Sequence, residues 1–490
     1  MSEPSPNLKT DFAQAVEHHQ AGRFAEAELH YRRIIAQHSD HADAIQLLGV
    51  LCNQTERPAE ALSLLDRAIQ LNPARADYHN NLGLVLAGQR RWDAAIDAFR
   101  KALSLRSDFA QAHNNLGNVL AELGRFDEAM RSLREAISLQ PGYAEAHNNL
   151  GNVHQNLRDA GRAIASYRRA LELRPGEPEV RVALASTFLL SGDFAQGFPL
   201  YEARWETPAG RAMARTFAQP LWDGSPLAGR RILLHAEQGL GDTIQFIRYV
   251  PLVKEMGGVV SVLCPPELRR LLTGQLGIEQ IVTDLNALPA FDVHCPILSL
   301  PRVLRTTLHS IPARVPYLTV DPTMSRAWQQ RLDAAPKGLK VGLVWAGSPK
   351  HRKDHQRSIP PEELAPLAAV GGVRFISLQK GDASSTRIGL NLVDWTAELT
   401  DLADTAALIA NLDLVICVDT AVAHLAGALA RPVWLLLPFA PDWRWMWDRA
   451  DSPWYPTMRL FRQSSPGNWA GVIAGVVDAL LRLSRLRVSP

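Results

Sequence analysis

Two rhythms of apolar and polar positions divide this chain. From about residue 10 to 206, apolar residues recur three or four apart in paired blocks, the spacing of amphipathic helices. In "AHNNLGNVLAELGRFDEAMRSLREAISLQPGYAE" two such blocks flank "LGRFDE". The pairing repeats every 34 residues, so that "HNNLG" stands at 79–83, 113–117 and 147–151. Gly49, Gly83, Gly117 and Gly151 fall in register, as do Ala27, Ala61, Ala95, Ala129 and Ala163. A third track is large: Tyr31, Leu65, Phe99, Leu133, Tyr167 and Tyr201. Pro73, Pro141 and Pro175 close their units. Each unit is predicted to be a helix–turn–helix whose small residues let neighbouring helices approach. No unit of this size buries its apolar face alone, so about five are expected to stack as an α-helical solenoid ending in a degenerate junction unit.

The asparagines need their own explanation, because asparagine is a mediocre helix former. Asn81, Asn115 and Asn149 fall mid-helix, with Asn118 and Asn152 one turn further on. Two readings stand. Either the amides join repeat to repeat, or they form a ladder along the inner groove that holds an extended protein or peptide partner by its backbone.

After about 206 the pattern changes. Residues 207–229, "TPAGRAMARTFAQPLWDGSPLAG", are rich in Pro, Gly and Ala and read as a linker. Short apolar runs then alternate with helical segments. "RRILLHAEQ" is a strand, "TIQFIRYVPLVKEMG" a helix and "GVVSVLC" a strand, followed by "PPELRRLLTGQLG", "IEQIVT" and "FDVHCP". Past a Pro-containing crossover the alternation restarts with "LKVGLVWAG", "PPEELAPLAAVGG", "VRFISLQ", "TAALIANL", "DLVICVD", "TAVAHLAGALA" and "RPVWLLLP". Two successive β-α-β sets predict two doubly wound parallel sheets facing each other, about 230–325 and 326–490, with ligands bound outside the carboxyl ends of the strands.

Composition narrows the function. A chain of 490 residues exceeds what one core organises. Its net charge of +2 argues against a protein that coats nucleic acid or an anionic membrane. Cys52, Cys264, Cys295 and Cys417 lie far apart, which suggests neither a zinc site nor a disulfide framework. No basic-then-apolar leader opens the sequence, and no apolar run approaches the roughly 18–20 residues that span a bilayer. A cytoplasmic protein without a transmembrane segment is expected.

Three loops carry candidate chemistry. In "HAEQGLGDTIQ", Gly239 and Gly241 permit a sharp turn and set Asp242 at a helix start, where it is either a capping aspartate or a reactive carboxylate. A dinucleotide fingerprint is disfavoured, since Ile244 stands where its third glycine belongs. In "WAGSPKHRKDHQRSIP", Ser348, Lys350, Arg352, Lys353 and Arg357 form a basic loop, either solvated or facing an anion. In "CVDTAVAHLAGA", Asp419 and Thr420 end a strand and cap the next helix, a ready diphosphate site. His424, one turn in, either faces that ligand or fills the core. "PFAPDWRWMWDR" offers Trp443, Arg444 and Trp445 for stacking on a sugar or base, or for packing the rim.

The 34-residue units resemble the tetratricopeptide repeat over roughly 10–206. Leu240-Gly241-Asp242 and the segment Asp419-Thr420 to His424-Leu425-Ala426 resemble the ADP-heptose:lipopolysaccharide heptosyltransferase family, while the layout of repeats before a transferase is similar to that of protein O-GlcNAc transferases. The resemblance implies a B-type glycosyltransferase fold and a nucleotide-sugar donor. It makes Asp242 the catalytic base and aligns Arg357 with the family's basic residue. Ile359 and Ala421 depart from the family's pattern at a tryptophan and a glycine. With no Asp-x-Asp triplet present, leaving-phosphate charge is assigned to Arg357, Lys353 or Lys380 and to the helix after Thr420, without a metal or other cofactor. The expected activity is inverting transfer to a protein or glycan hydroxyl, the repeat arm recruiting acceptor or partner; the alternative is a non-catalytic scaffold.

Overall fold

Four letters of the repeated "HNNLG" have a structural task that can be named. In the computed structural model, which describes residues 6–334, 338–351, 353–381, 383 and 389–488, the units are helix pairs. They run α1 (Pro6–Gln20) with α2 (Phe24–Gln37), α3 (Ala42–Gln54) with α4 (Pro58–Leu71), and α5 (Ala76–Gly88) with α6 (Trp92–Leu105). α7 (Ala110–Glu122) with α8 (Phe126–Leu139) and α9 (Ala144–Asn156) with α10 (Ala160–Leu173) complete the series. The histidine ties its helix to the preceding turn: Nε2 of His79, His113 and His147 donates to the carbonyls of Pro73, Ser107 and Pro141 at 3.0, 3.0 and 3.2 Å. The asparagines join neighbours, since Asn115 Nδ2 donates to Asn80 Oδ1 and Asn149 Nδ2 to Asn114 Oδ1, each at 2.9 Å. The glycine makes room. A Cβ on Gly83 would lie 2.6 Å from the Phe99 ring, and one on Gly151 2.7 Å from Tyr167. Phe99, Leu133 and Tyr167 are fully buried as a result, each contributing on the order of 2–3 kcal/mol by burial. The N-terminal region is a helical tetratricopeptide solenoid.

The chain forms two compact units, Met1–Val180 and Arg181–Pro490. The second begins within the helix Pro178–Leu190 and continues through the helix Phe194–Tyr201. Its first sheet contains β1 (Arg231–His235), β2 (Val259–Leu263), β3 (Gln280–Val282) and β4 (Val293–Pro296) in the order β3-β2-β1-β4. Its second contains β5 (Leu339–Val344), β6 (Val373–Ser377), β7 (Leu392–Asp394), β8 (Leu414–Val418), β9 (Val433–Leu437) and β10 (Met458–Arg462) in the order β10-β9-β8-β5-β6-β7. Every pairing is parallel. β8 and β9 are buried along their whole length, which explains their unbroken apolar sequences. Strand order reverses between β1 and β4 and again between β5 and β8, the two places where such sheets open a crevice at their carboxyl ends.

Several local expectations change. The helix expected over "TIQFIRYVPLVKEMG" is interrupted: Leu240–Phe246 is helical, Ile247–Tyr249 is a 3-10 turn and a second helix runs Val250–Glu255. Pro251 explains the break, because it has no N–H to continue the first helix and suits the first turn of the next. Pro361–Ala369 is a 3-10 rather than an α-helix, with Pro366 inside it. β7, β10 and the C-terminal helix Trp469–Val488 add to the expected elements. Residues within 207–229 lie against the first sheet, where Trp222 N donates to the His294 carbonyl and His294 N to that of Pro220. No helix among the described residues is long and apolar enough to cross a membrane.

Candidate active site

The loops after β1 and β8 meet. The helices Leu240–Phe246 and Ala421–Ala428 that follow them pack together, with Gly241 at a close approach. A Cβ there would stand 2.8 Å from the His424 ring and 3.4 Å from Ala421 Cα, so the contact requires glycine.

Asp242 is the third residue of its helix rather than the cap. It reaches back so that its Oδ2 accepts from the backbone N–H of Gly239 at 2.8 Å. Its Oδ1 accepts from Arg444 Nη2 at 2.5 Å. Arg444 also donates to Asp442 Oδ1 at 2.8 Å, while its guanidinium stacks over Trp443 at 4.4 Å. At 6% exposure Arg444 is a buried charge held by two carboxylates. The backbone behind it is unusual: Met446 has φ 53° and ψ 179°, a region that costs a residue with a side chain about 1–3 kcal/mol. Packing maintains it, since Gly192 leaves room for the Met446 side chain and Trp447 N donates to the Leu190 carbonyl.

The second sheet contributes Asp419, Thr420 and Arg357. Burial and the neighbouring Asp442 carboxylate push the Asp419 carboxyl up to about 6, against the pull of Trp445, Arg444 and Arg357. Arg357 donates from Nη1 to the Asp419 carbonyl at 3.3 Å and from Nε to Asp354 at 3.1 Å. It therefore stands where β5 and β8 diverge. Thr420 occupies the N-cap position, but its side chain makes no capping bond, and its buried Oγ1 has no partner among the described residues. The same holds for Nε1 of Trp345 and Trp443 and for Nε of Arg444. Buried donors without acceptors are uncommon in folded proteins, and these gather about the end of β5, the end of β8 and the segment after β9.

Other candidate residues are placed differently. His424 is buried, with Nδ1 3.0 Å from the Tyr455 hydroxyl and its ring stacked on Trp445. Trp443 packs among Phe198, Tyr201 and Phe246. Ser348, Lys350 and Lys353 are exposed in the loop after β5, and Arg352 lies outside the described residues. Lys380 is not brought to Asp419: its ammonium donates to the carbonyls of Thr396 and Leu399, beyond β7. In the repeats, Asn81 and Asn118 lie on α5 and α7, Asn118 exposed, and Asn152 accepts from the Tyr167 hydroxyl at 2.8 Å.

Sequence reasoning missed two networks beside this site. Glu237, in the loop leading to Asp242, is gripped by Arg204 Nε and Nη2 at 3.0 and 3.1 Å and accepts from Leu298 N at 3.0 Å. Arg204 also donates to Glu202 and to Ser299, linking the segment after Phe194–Tyr201 to the loops after β1 and β4. Beneath it, His235 and His294 on adjacent strands stand 3.2 Å apart. The available signal was an arginine beside a tryptophan, "ARW", and a glutamate closing an apolar strand.

Burial, reinforced by His294, Arg215 and Arg204, drives His235 down to about 3. Burial and the charges of Arg444 and Arg248 push His424 well below its usual value. Both bases are thus kept neutral in the folded unit, so below about pH 6.5 the unfolded chain binds more protons and stability is lost. Asp419 acts oppositely between about 6 and 4, offsetting one of the two histidines. The second unit is expected to lose stability as pH falls from about 6 towards 4. Thermal melts at fixed ionic strength test this, and a flat profile would contradict it.

Comparisons with known proteins agree with this division. Residues 18–83 and 144–177 match tetratricopeptide-repeat families, and 89–124 and 117–157 a TPR-repeat family. Residues 394–436, which carry Asp419, Thr420 and His424, match glycosyltransferase family 9 (heptosyltransferase). Protein FlbA of Caulobacter vibrioides is 30% identical over 331 residues, 61% of this chain and 54% of FlbA. The chain thus spans about half the length of that curated relative. Among solved structures, MamA is 24% identical with a TM-score of 0.30, covering 33% of this chain and 94% of MamA. PilW, a type IV pilus biogenesis factor, is 16% identical with a TM-score of 0.39, covering 42% and 94%. The chain joins a tetratricopeptide solenoid to parallel sheets that carry a heptosyltransferase-like segment.

Proposed function

We propose that the second unit is a metal-independent, inverting glycosyltransferase of the B-type fold, which moves a sugar from a nucleotide diphosphate to a protein or glycan hydroxyl. The observation that carries this reading is the meeting of the two crevice helices with a carboxylate, Asp242, on one and unpartnered buried donors beside the other. In the proposed reaction the acceptor hydroxyl passes its proton to Asp242 as its oxygen bonds the anomeric carbon, and the carbon–phosphate-oxygen bond breaks. A carboxylate has about four acceptor positions; Gly239 and Arg444 take two of Asp242's, leaving room for that proton. The negative charge on the departing phosphate is met by Arg357 and by the free N–H groups and Thr420 hydroxyl at the start of Ala421–Ala428. Lys353 and Ser348, on the same loop as Arg357, are the proposed contacts to the outer phosphate. Attack from the Asp242 side, opposite the phosphate, inverts the anomeric carbon.

The repeat arm is proposed to recruit the protein acceptor or a partner. Asn115 and Asn149 use one donor each between repeats, and their remaining amide groups, with Asn81, Asn118 and Asn152, are the proposed groove contacts.

A thermal-shift screen against UDP-, ADP-, GDP- and dTDP-sugars in EDTA tests the reading. A donor at 100 times its dissociation constant is expected to stabilise the second unit by about 2.7 kcal/mol. No shift from any of them, with a cooperatively melting protein, would favour the scaffold.

A further inference from the structure

Gln245 is out of place by the ordinary rules of burial. It is 0% exposed, and neither its Nε2 nor its Oε1 has a hydrogen-bond partner. Among the described residues it is the side chain whose amide nitrogen and oxygen are both buried and unpartnered. Its position is informative. Gln245 lies four residues after Gly241, so it continues the helix face on which Gly241 approaches Ala421 and His424. It also lies three residues, one turn, after Asp242.

Nearby polar groups are engaged elsewhere. His424 Nδ1 pairs with Tyr455. The Tyr317 hydroxyl donates to the Ile244 carbonyl and accepts from Arg248 Nη2. Arg248 Nε donates to the backbone carbonyl of Gln245 and not to its amide. A buried carboxamide in this state penalises the closed seam between the two helices, a penalty that a methionine of similar length would not incur. A ligand entering the seam with a donor and an acceptor side by side removes it. Adjacent hydroxyls on a pyranose ring are such a pair, and a reacting sugar must lie between Asp242 and the phosphate-binding end of Ala421–Ala428.

We infer that Gln245 is a specificity residue that reads the transferred sugar, its Nε2 donating to one ring hydroxyl and its Oε1 accepting from the neighbouring one. This rests on the transferase reading and assigns the sugar contact within it.

The full-length protein and its Gln245→Met variant are titrated with UDP, ADP, GDP and dTDP and with the glucose conjugate of each. The natural protein should bind one conjugate more tightly than its bare nucleotide. Gln245→Met should bind the bare nucleotide unchanged and lose that increment, about tenfold in affinity. Its ligand-free melting temperature should rise. Gln245→Leu serves the same purpose if the methionine variant does not fold. A natural protein that prefers the conjugate, with variants that keep the full preference, would overturn the assignment and leave the transferase reading standing. If the natural protein binds none of the probes, the transferase reading itself fails and the assignment falls with it.

Discussion

Arg444→Met is expected to destabilise the second unit by about 1–3 kcal/mol, because it removes a buried cation and its charge-assisted bonds while leaving a half-buried Asp242 and an exposed Asp442 charged. Asp242 would keep only the Gly239 N–H, and Asp442 only its bond from the Arg444 backbone nitrogen. Methionine preserves much of the stacking volume over Trp443, so the loss reports on charge rather than on a cavity. Lysine should not restore stability, since a single ammonium cannot reproduce a planar guanidinium that holds both carboxylates and lies on an indole. The double change Arg444→Met with Asp242→Asn should recover part of the loss. Urea denaturation followed by tryptophan fluorescence provides the measurement. A loss below about 1 kcal/mol would mean that solvent, and not Arg444, neutralises these carboxylates.

Asp242→Asn is expected to lower sugar transfer by about 10²–10⁴-fold while sparing nucleotide-sugar binding. The substitution keeps shape but supplies one acceptor oxygen where aspartate has two, so the bond from either Gly239 or Arg444 is lost. A stability cost of about 1–3 kcal/mol should accompany it. Transfer is read as product formed at saturating donor, at a temperature well below either melting point. Full activity in this variant would remove Asp242 from the role of base.

The arm was legible because its information is local and repeated. Every position that matters recurs at 34 residues, and a glycine opposite a large residue declares a close contact before any coordinates exist. The paired sheets were legible for a related reason: strands buried on both faces read as apolar runs, as "DLVICVD" and "RPVWLLLP" do. β7 escaped notice because three residues carry too little pattern, and β10 because Arg459 is exposed between buried neighbours. At the site, Asp242, Asp419 and Thr420 could be picked out from turn and cap chemistry. Their partners could not. Arg444 is 202 residues from Asp242, and spacing gives no account of which acid a distant arginine meets. Lys380 shows the converse: a cation after a strand suggested an anion site, yet its side chain ends on two backbone carbonyls.

The amide bonds from Asn115 to Asn80 and from Asn149 to Asn114 make the arm's length a free variable. Each bond belongs to a junction and not to a repeat, and these two junctions use the same pair of letters. Excising residues 81–114 would join Asn80 to Asn115 and rewrite "HNNLG" across the cut, and Asn149 would find in Asn80 the acceptor it had in Asn114. Asn115 would give up its bond to Asn80 and take the place of Asn81 opposite Gln46, and no turn would change its length. Since such arrays are held by nearest-neighbour terms, the chain can lose or gain a whole unit at the cost of one junction's energy. Reach becomes an adjustable quantity, set in steps of one helix pair and independent of the chemistry further along.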